Sequence, residues 1–198
     1  MSQPPDFVKP GDYGLIAIPG RGGRLIRLGQ FLIGDGYKDY QHAFVYVGDG
    51  MVIEAASSGA VKRPFHYDPE AVLWSSETLY QDVGLGNDLI PIELTDLDRS
   101  AICQAAEGYI GVPYSWLDYL AIAAHRFHLS RSEALQKIVA STRRMICSQL
   151  VDQCFVDAGV HLFDDHRWPG YVTPGDLTQL LYGNQDTDKS EPWLRDVE

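Results

Sequence analysis

The chain has 198 residues, a net charge of −11, 45% hydrophobic residues and 22% charged ones. That is long enough to bury a real core and ordinary in polarity for a globular chain, while the acidic balance excludes the basic stripe that a nucleic-acid surface needs. Three cysteines, Cys103, Cys147 and Cys154, with no CxxC pair, exclude a disulfide framework and a zinc-ligand spacing and suit a reducing compartment.

Residues 1–10 read as an extended leader with prolines at 4, 5 and 10. No basic-then-apolar signal pattern and no apolar run of membrane-spanning length is present, so no transmembrane segment and a cytoplasmic site of synthesis are expected. "GDYGLIAIPG" predicts a short strand between glycines. Residues 20–36 predict a loop with a short helical turn. Arg21, Arg24 and Arg27 stand there near glycines but lack the strand-to-helix context of a phosphate loop, so a solvated loop is expected. "HAFVYVGDGMVIEA" predicts a hairpin, and residues 57–88 a turn at "PFHYDP" with one or two strands. "DLIPIELT" predicts a strand that Pro91 pushes to a sheet edge.

Helices follow. "TDLDRSAICQAAEGYIG" has good caps and apolar positions 97, 101, 102, 105 and 106, and ends at Gly111. "WLDYLAIAAHRFHL" is a second helical stretch, and "SRSE" is a capping box that opens a third. His125 and His128 lie one turn apart with no third ligand in register, so no metal is expected. "CSQLVDQCFVDAG" places apolar residues at 147, 150, 151, 154, 155 and 158, a 3.6-residue period closed by Gly159 at the C′ position. "VTPGDLTQLL" predicts a last helix with Thr173 as cap and Pro174 in its first turn. The tail, 183–198, is acidic and polar and is expected to be disordered.

The hairpin carries an imidazole and a carboxylate, His42 and Glu54, twelve residues apart. With a three-residue loop at Gly48-Asp49-Gly50, Val47 faces Met51, Phe44 faces Glu54 and His42 faces Ala56. Even-numbered residues then share one face, and His42 and Glu54 become diagonal neighbours within reach of each other. Glu54 would accept a hydrogen bond from one ring nitrogen, leaving the other to take a proton. The plainer alternative, a strand-end histidine and a carboxylate on a solvated rim, stays open at this point.

Cys147 begins its helix, where the dipole and the free backbone amides favour thiolate and can donate to an oxyanion. A thiol there, beside an imidazole backed by a carboxylate, is an activated nucleophile. Cys147 also lies on the apolar stripe, so a small core residue is the alternative. Cys103 and Cys154 sit inside helices and are assigned to packing.

The order "KPGDYGLIAI", His42, Glu54, "GVPY", "CSQLV", "TPGDL" resembles the papain-like NlpC superfamily of cysteine hydrolases. It resembles in particular the circularly permuted, YiiX-like branch, over roughly residues 9–182. The resemblance implies a single α+β domain, 1–182, with a central antiparallel sheet packed against the cysteine-bearing helix and a helical insertion at 115–145. It implies Cys147 as nucleophile, His42 as general base and acid, Glu54 as the orienting residue, and Tyr114 with Ser148 at the substrate and oxyanion side. No cofactor or metal is implied. The expected reaction is thiol-dependent hydrolysis of an amide through an acyl-enzyme, first of all in a peptidoglycan stem peptide, with phage virion proteins as conceivable partners and release by lysis as the route to the wall. Two alternatives stand beside it: an acyl ester or thioester hydrolase or acyltransferase of the same fold, and a non-catalytic virion or binding protein.

Overall fold

The hairpin is the centre of the sheet. In a computed structural model, which describes residues 3–18, 39–56, 58–76, 78–84, 88–113, 145–164 and 172–182, β2 (His42–Gly48) and β3 (Met51–Ala56) pair antiparallel. β1 (Tyr13–Ile16) flanks β2, β4 (Gly59–Pro64) flanks β3, and β5 (Leu73–Trp74) adds to β1, giving the order β4-β3-β2-β1-β5. β6 (Tyr80–Asp82) and β7 (Leu89–Pro91) form a separate two-stranded sheet. β6 is bridged on its far side to Phe163, and Pro91, opposite Tyr80, lies on the outer strand β7, where it costs no ladder bond. Three α-helices complete the described residues: α1 (Asp96–Gly108), α2 (Cys147–Asp157) and α3 (Pro174–Tyr182). The chain is therefore α+β with a five-stranded antiparallel sheet. Among the described residues no helix is long and apolar enough to cross a membrane.

The hairpin turn differs from the expectation in one detail. Asp49 and Gly50 alone form the turn, both at positive φ (52° and 68°), as a two-residue hairpin turn requires. Gly48 pairs with Met51, and the register shifts between Tyr46 and Gly48, so Val47 is a bulge. A two-residue turn alone would set Phe44 opposite Ala55. The extra residue restores the Phe44–Glu54 pair, and even residues of both strands share a face as a three-residue loop would have placed them.

Period-two patterning then buries both faces. Ala43, Val45, Ile53 and Ala55 join Tyr13 and Leu15 in a core with α1, α2 and α3. Phe44 and Val52 turn the other way, into a smaller aromatic cluster with Ile16, Phe65, Val72 and Trp74. Gly14 lies between strands where a Cβ would stand 2.5 Å from the Phe44 ring and 2.9 Å from Val72; only glycine fits.

The helix caps follow from sequence. Thr95 and Asp98 form a reciprocal capping box on α1, and Thr173 with Asp176 does the same on α3. α1 ends at Gly108 instead of Gly111; Gly111 takes positive φ (88°) just beyond and leads a segment that bonds to β4 through Ala60. Pro113 O then accepts from Met145 N at 3.0 Å, so "GVP" lies against the entry to α2. Asp12, from the first "PGD", is fully buried and accepts from Lys9 N (2.7 Å), Ser76 Oγ (2.5 Å) and Arg99 Nη1 (2.7 Å), tying the start of β1 to α1. The expected loop at 20–36, nearly all of the 115–145 insertion and the 183–198 tail lie outside the described residues.

Candidate active site

β2 opens with His42, paired to Ile16, and its ring turns toward Glu54 on the neighbouring strand. Glu54 has no exposed surface, and a buried carboxylate persists only with charge and donors around it. It has both. Oε2 is bound by His42 Nε2 and by the Tyr67 hydroxyl; Oε1 is bound by Arg63 through Nε and Nη2.

Burial opposes ionisation of Glu54. The His42 hydrogen bond and charge, the Tyr67 hydroxyl and the Arg63 charge outweigh it and hold the carboxyl down at about 2. Tyr67 itself is pushed far up, first by burial and then by the neighbouring carboxylate.

Cys147 is the first residue of α2. Ile146 before it is extended (φ −93°, ψ 169°) and fully buried, and its N–H donates to Gln149 Oε1 at 2.9 Å. An apolar anchor and a side-chain cap thus set where the helix starts. Registered pairing of β2 with β3 ends at Phe44 and Glu54. Beyond that point the sulfur meets β2 instead: Sγ lies 3.9 Å from Gln41 O, and the Ala43 N–H donates to it. Here, at the open end of the strand pair, a thiol from the helix side of the sheet reaches an imidazole whose strand neighbours face the other way.

The thiol and the His42 ring are hydrogen-bonded. With Nε2 engaged by Glu54, Nδ1 is the nitrogen left for sulfur. Burial pushes the Cys147 thiol up, but the imidazole bond and charge, with the Ala43 and Ser148 amides, bring it below the ordinary thiol value. Burial likewise works against charge on His42. The bond and charge of Cys147, then those of Glu54, reverse this and raise the ring to about 10. The two shifts run in the same sense, making the thiol more acidic and the imidazole more basic beside a carboxylate held ionised.

Of the residues singled out from sequence, Cys147, His42 and Glu54 come together. Tyr114 lies outside the described residues, as do Arg21, Arg24, Arg27, His125 and His128. The Ser148 hydroxyl is buried and donates to Val172 O at 2.7 Å, and the group Ser148 turns to the sulfur is its backbone N–H. Cys154 is buried and its thiol is pushed up, by burial first; Cys103 is half-buried and shifted the same way for the same reason. Neither shift comes from an imidazole.

Arg63 and Tyr67 were not anticipated. Their segment reads as a strand end and a turn, but a signal existed in register. Ala56 pairs with Gly59 across residues 57–58, which sets odd residues of β4 on the face of even residues of β3. Val52 therefore faces Arg63 and Glu54 faces Val61. Among the described residues no group of three or more His, Cys, Asp or Glu is arranged to hold a metal ion. No protein-family model matches the chain, and no curated protein matches it.

Proposed function

We propose that the chain is a thiol-dependent hydrolase of the papain-like, permuted NlpC type. The observation that carries this reading is the hydrogen-bonded row Cys147–His42–Glu54 at a helix N-terminus, with the thiol acidified and the imidazole made basic.

The Cys147 thiolate attacks the carbonyl carbon of an amide, and the electron pair moves to oxygen. Amides in the first turn of α2 have no acceptor within the helix and lie where that oxyanion forms. On collapse the C–N bond breaks, the leaving nitrogen takes the proton from the His42 ring, and a thioester remains on Cys147. Neutral His42 then removes a proton from water as its oxygen attacks the thioester. The acid departs, and the thiolate–imidazolium pair is restored. Glu54 keeps the ring oriented and its Nε2 protonated throughout.

The order of sequence motifs directs the substrate to an amide of a peptidoglycan stem peptide. Purified peptidoglycan and acyl esters, each offered to wild-type protein and to Cys147→Ala, test substrate and chemistry together. Peptide release from the wall is expected with wild type and reduced at least about 1,000-fold in the variant. Acyl ester turnover without wall cleavage would move the substrate to lipid or thioester acyl groups. Iodoacetamide labelling against pH tests the nucleophile directly. Cys147 is expected to alkylate at lower pH than Cys103 and Cys154, and His42→Ala to remove that advantage; equal labelling of the three thiols would refute the reading.

A further inference from the structure

Glu54 does more than meet His42, because its two oxygens are loaded differently. Among the described residues Oε1 is held by the Arg63 guanidinium, whereas Oε2 is divided between the His42 ring and the Tyr67 hydroxyl. His42 therefore shares its acceptor atom with a neutral donor and shares the carboxylate's charge with a fixed cation. Tyr67 is held in this position by its ring, stacked on Phe44 with centroids 5.0 Å apart and edge-on to Phe65 at 5.9 Å. Arg63 is fixed by strand register opposite Val52.

Among the described residues the charged and titratable groups that meet the carboxylate come from three segments. His42 from β2, Arg63 from β4 and Tyr67 from the segment after β4 meet Glu54. Glu54 and Cys147, the latter from α2, meet His42. The exposed His66 ring lies 4.1 Å from that of Tyr67. The Phe44 cluster beside them is built from Val8, Ile16, Val52, Phe65, Val72 and Trp74.

We propose that Arg63 and Tyr67 are positioning residues that temper Glu54, taking up part of its charge and part of Oε2 so that the His42 proton stays transferable. The inference deepens the hydrolase reading and rests on it for its purpose. A buried imidazolium and carboxylate with no other partner hold their proton most tightly, because little solvent screens them. A general acid works best when its proton affinity is not far above the working pH. Donors on the carboxylate weaken it as a base and so loosen its hold on the ring. Tyr67 does this at the oxygen His42 uses, and Arg63 does it through the whole group.

The test is the ring titration of His42, followed by NMR in wild type, Tyr67→Phe, Arg63→Gln and Arg63→Lys. From the wild-type value of about 10, Tyr67→Phe and Arg63→Gln are expected to move the midpoint upward, by about one unit, and Arg63→Lys to hold it near wild type. A merely structural role predicts the opposite sign, since a loosened ring returns toward the ordinary imidazole value. An unchanged or lowered midpoint in Tyr67→Phe overturns the proposal. That variant keeps the ring and its stacking, so it remains decisive where Arg63→Gln does not fold. Iodoacetamide labelling of the same samples separates the two readings. If wild-type Cys147 shows no acid-shifted labelling, the nucleophile reading fails on its own account, while the ring midpoints still decide whether Arg63 and Tyr67 temper Glu54.

Discussion

Glu54 acts on the charge of its neighbours from a fully buried position. A carboxylate with no exposed surface is unfavourable by itself, and it persists here because a guanidinium, an imidazole and a phenol each give it a hydrogen bond. Glu54→Gln preserves the shape and removes the charge. Its amide can accept from His42 Nε2 but cannot hold an imidazolium, and its NH₂ group faces the Arg63 donors. The His42 ring is then expected to fall from about 10 toward its ordinary 6.5. Turnover is expected to fall by at least about 100-fold, the usual range for misplacing a catalytic proton. Steady-state kinetics against pH check both, and an unchanged kcat would remove Glu54 from the mechanism.

At the scale of elements, the site depends on how a helix meets the end of a hairpin. The Val47 bulge sets the face on which Glu54 lies, and a deletion there turns every residue of one strand over relative to the other. Gly14 on β1 guards the same arrangement from the opposite side of Phe44. Gly14→Ala would force the Phe44 ring against Tyr67, on which it is stacked. The expected cost is about 1–3 kcal/mol, as for overpacking generally, read as a lowered urea midpoint with an unchanged m-value. Because Tyr67 bonds Glu54, acid-shifted alkylation of Cys147 is expected to weaken in the same variant.

For the molecule as a whole, the sheet buries one face against three helices and the other against an aromatic cluster, and the charged row crosses between them at one end of β2. This gives the fold a pH signature. Glu54 titrates at about 2 in the folded state against an ordinary 4.5. Its contribution is therefore present above 4.5 and lost as pH falls toward 2. His42 titrates at about 10 against 6.5, so its contribution is full below 6.5 and lost as pH rises through 10. The shift at Glu54 corresponds to on the order of 3 kcal/mol, whereas the rise at His42 comes first from Cys147 and only then from Glu54. Stability from this pair should be greatest between pH 4.5 and 6.5 and decline on both sides. Urea unfolding across pH checks this by comparison with Glu54→Gln, whose curve should lack the component that wild type loses between pH 4.5 and 2.

The local parts were legible in the sequence because local forces make them. Alternation of apolar residues specifies the hairpin, glycines and aspartate specify its turn, and threonine followed three residues later by aspartate caps two helices. The shared face of His42 and Glu54 was readable for the same reason, although the odd residue proved to be a bulge at Val47 and not a member of the turn. Arg63 and Tyr67 were not readable, since their place depends on the β3–β4 register and on a tyrosine ring lodged in a cluster assembled from distant strands. The meeting of sulfur and imidazole was a matter for tertiary structure alone. Residues 42 and 147 share no local geometry, and only the packing of α2 against the sheet, in the core that Leu150 and Val151 share with Ala43 and Val45, brings the first turn of that helix to the end of β2.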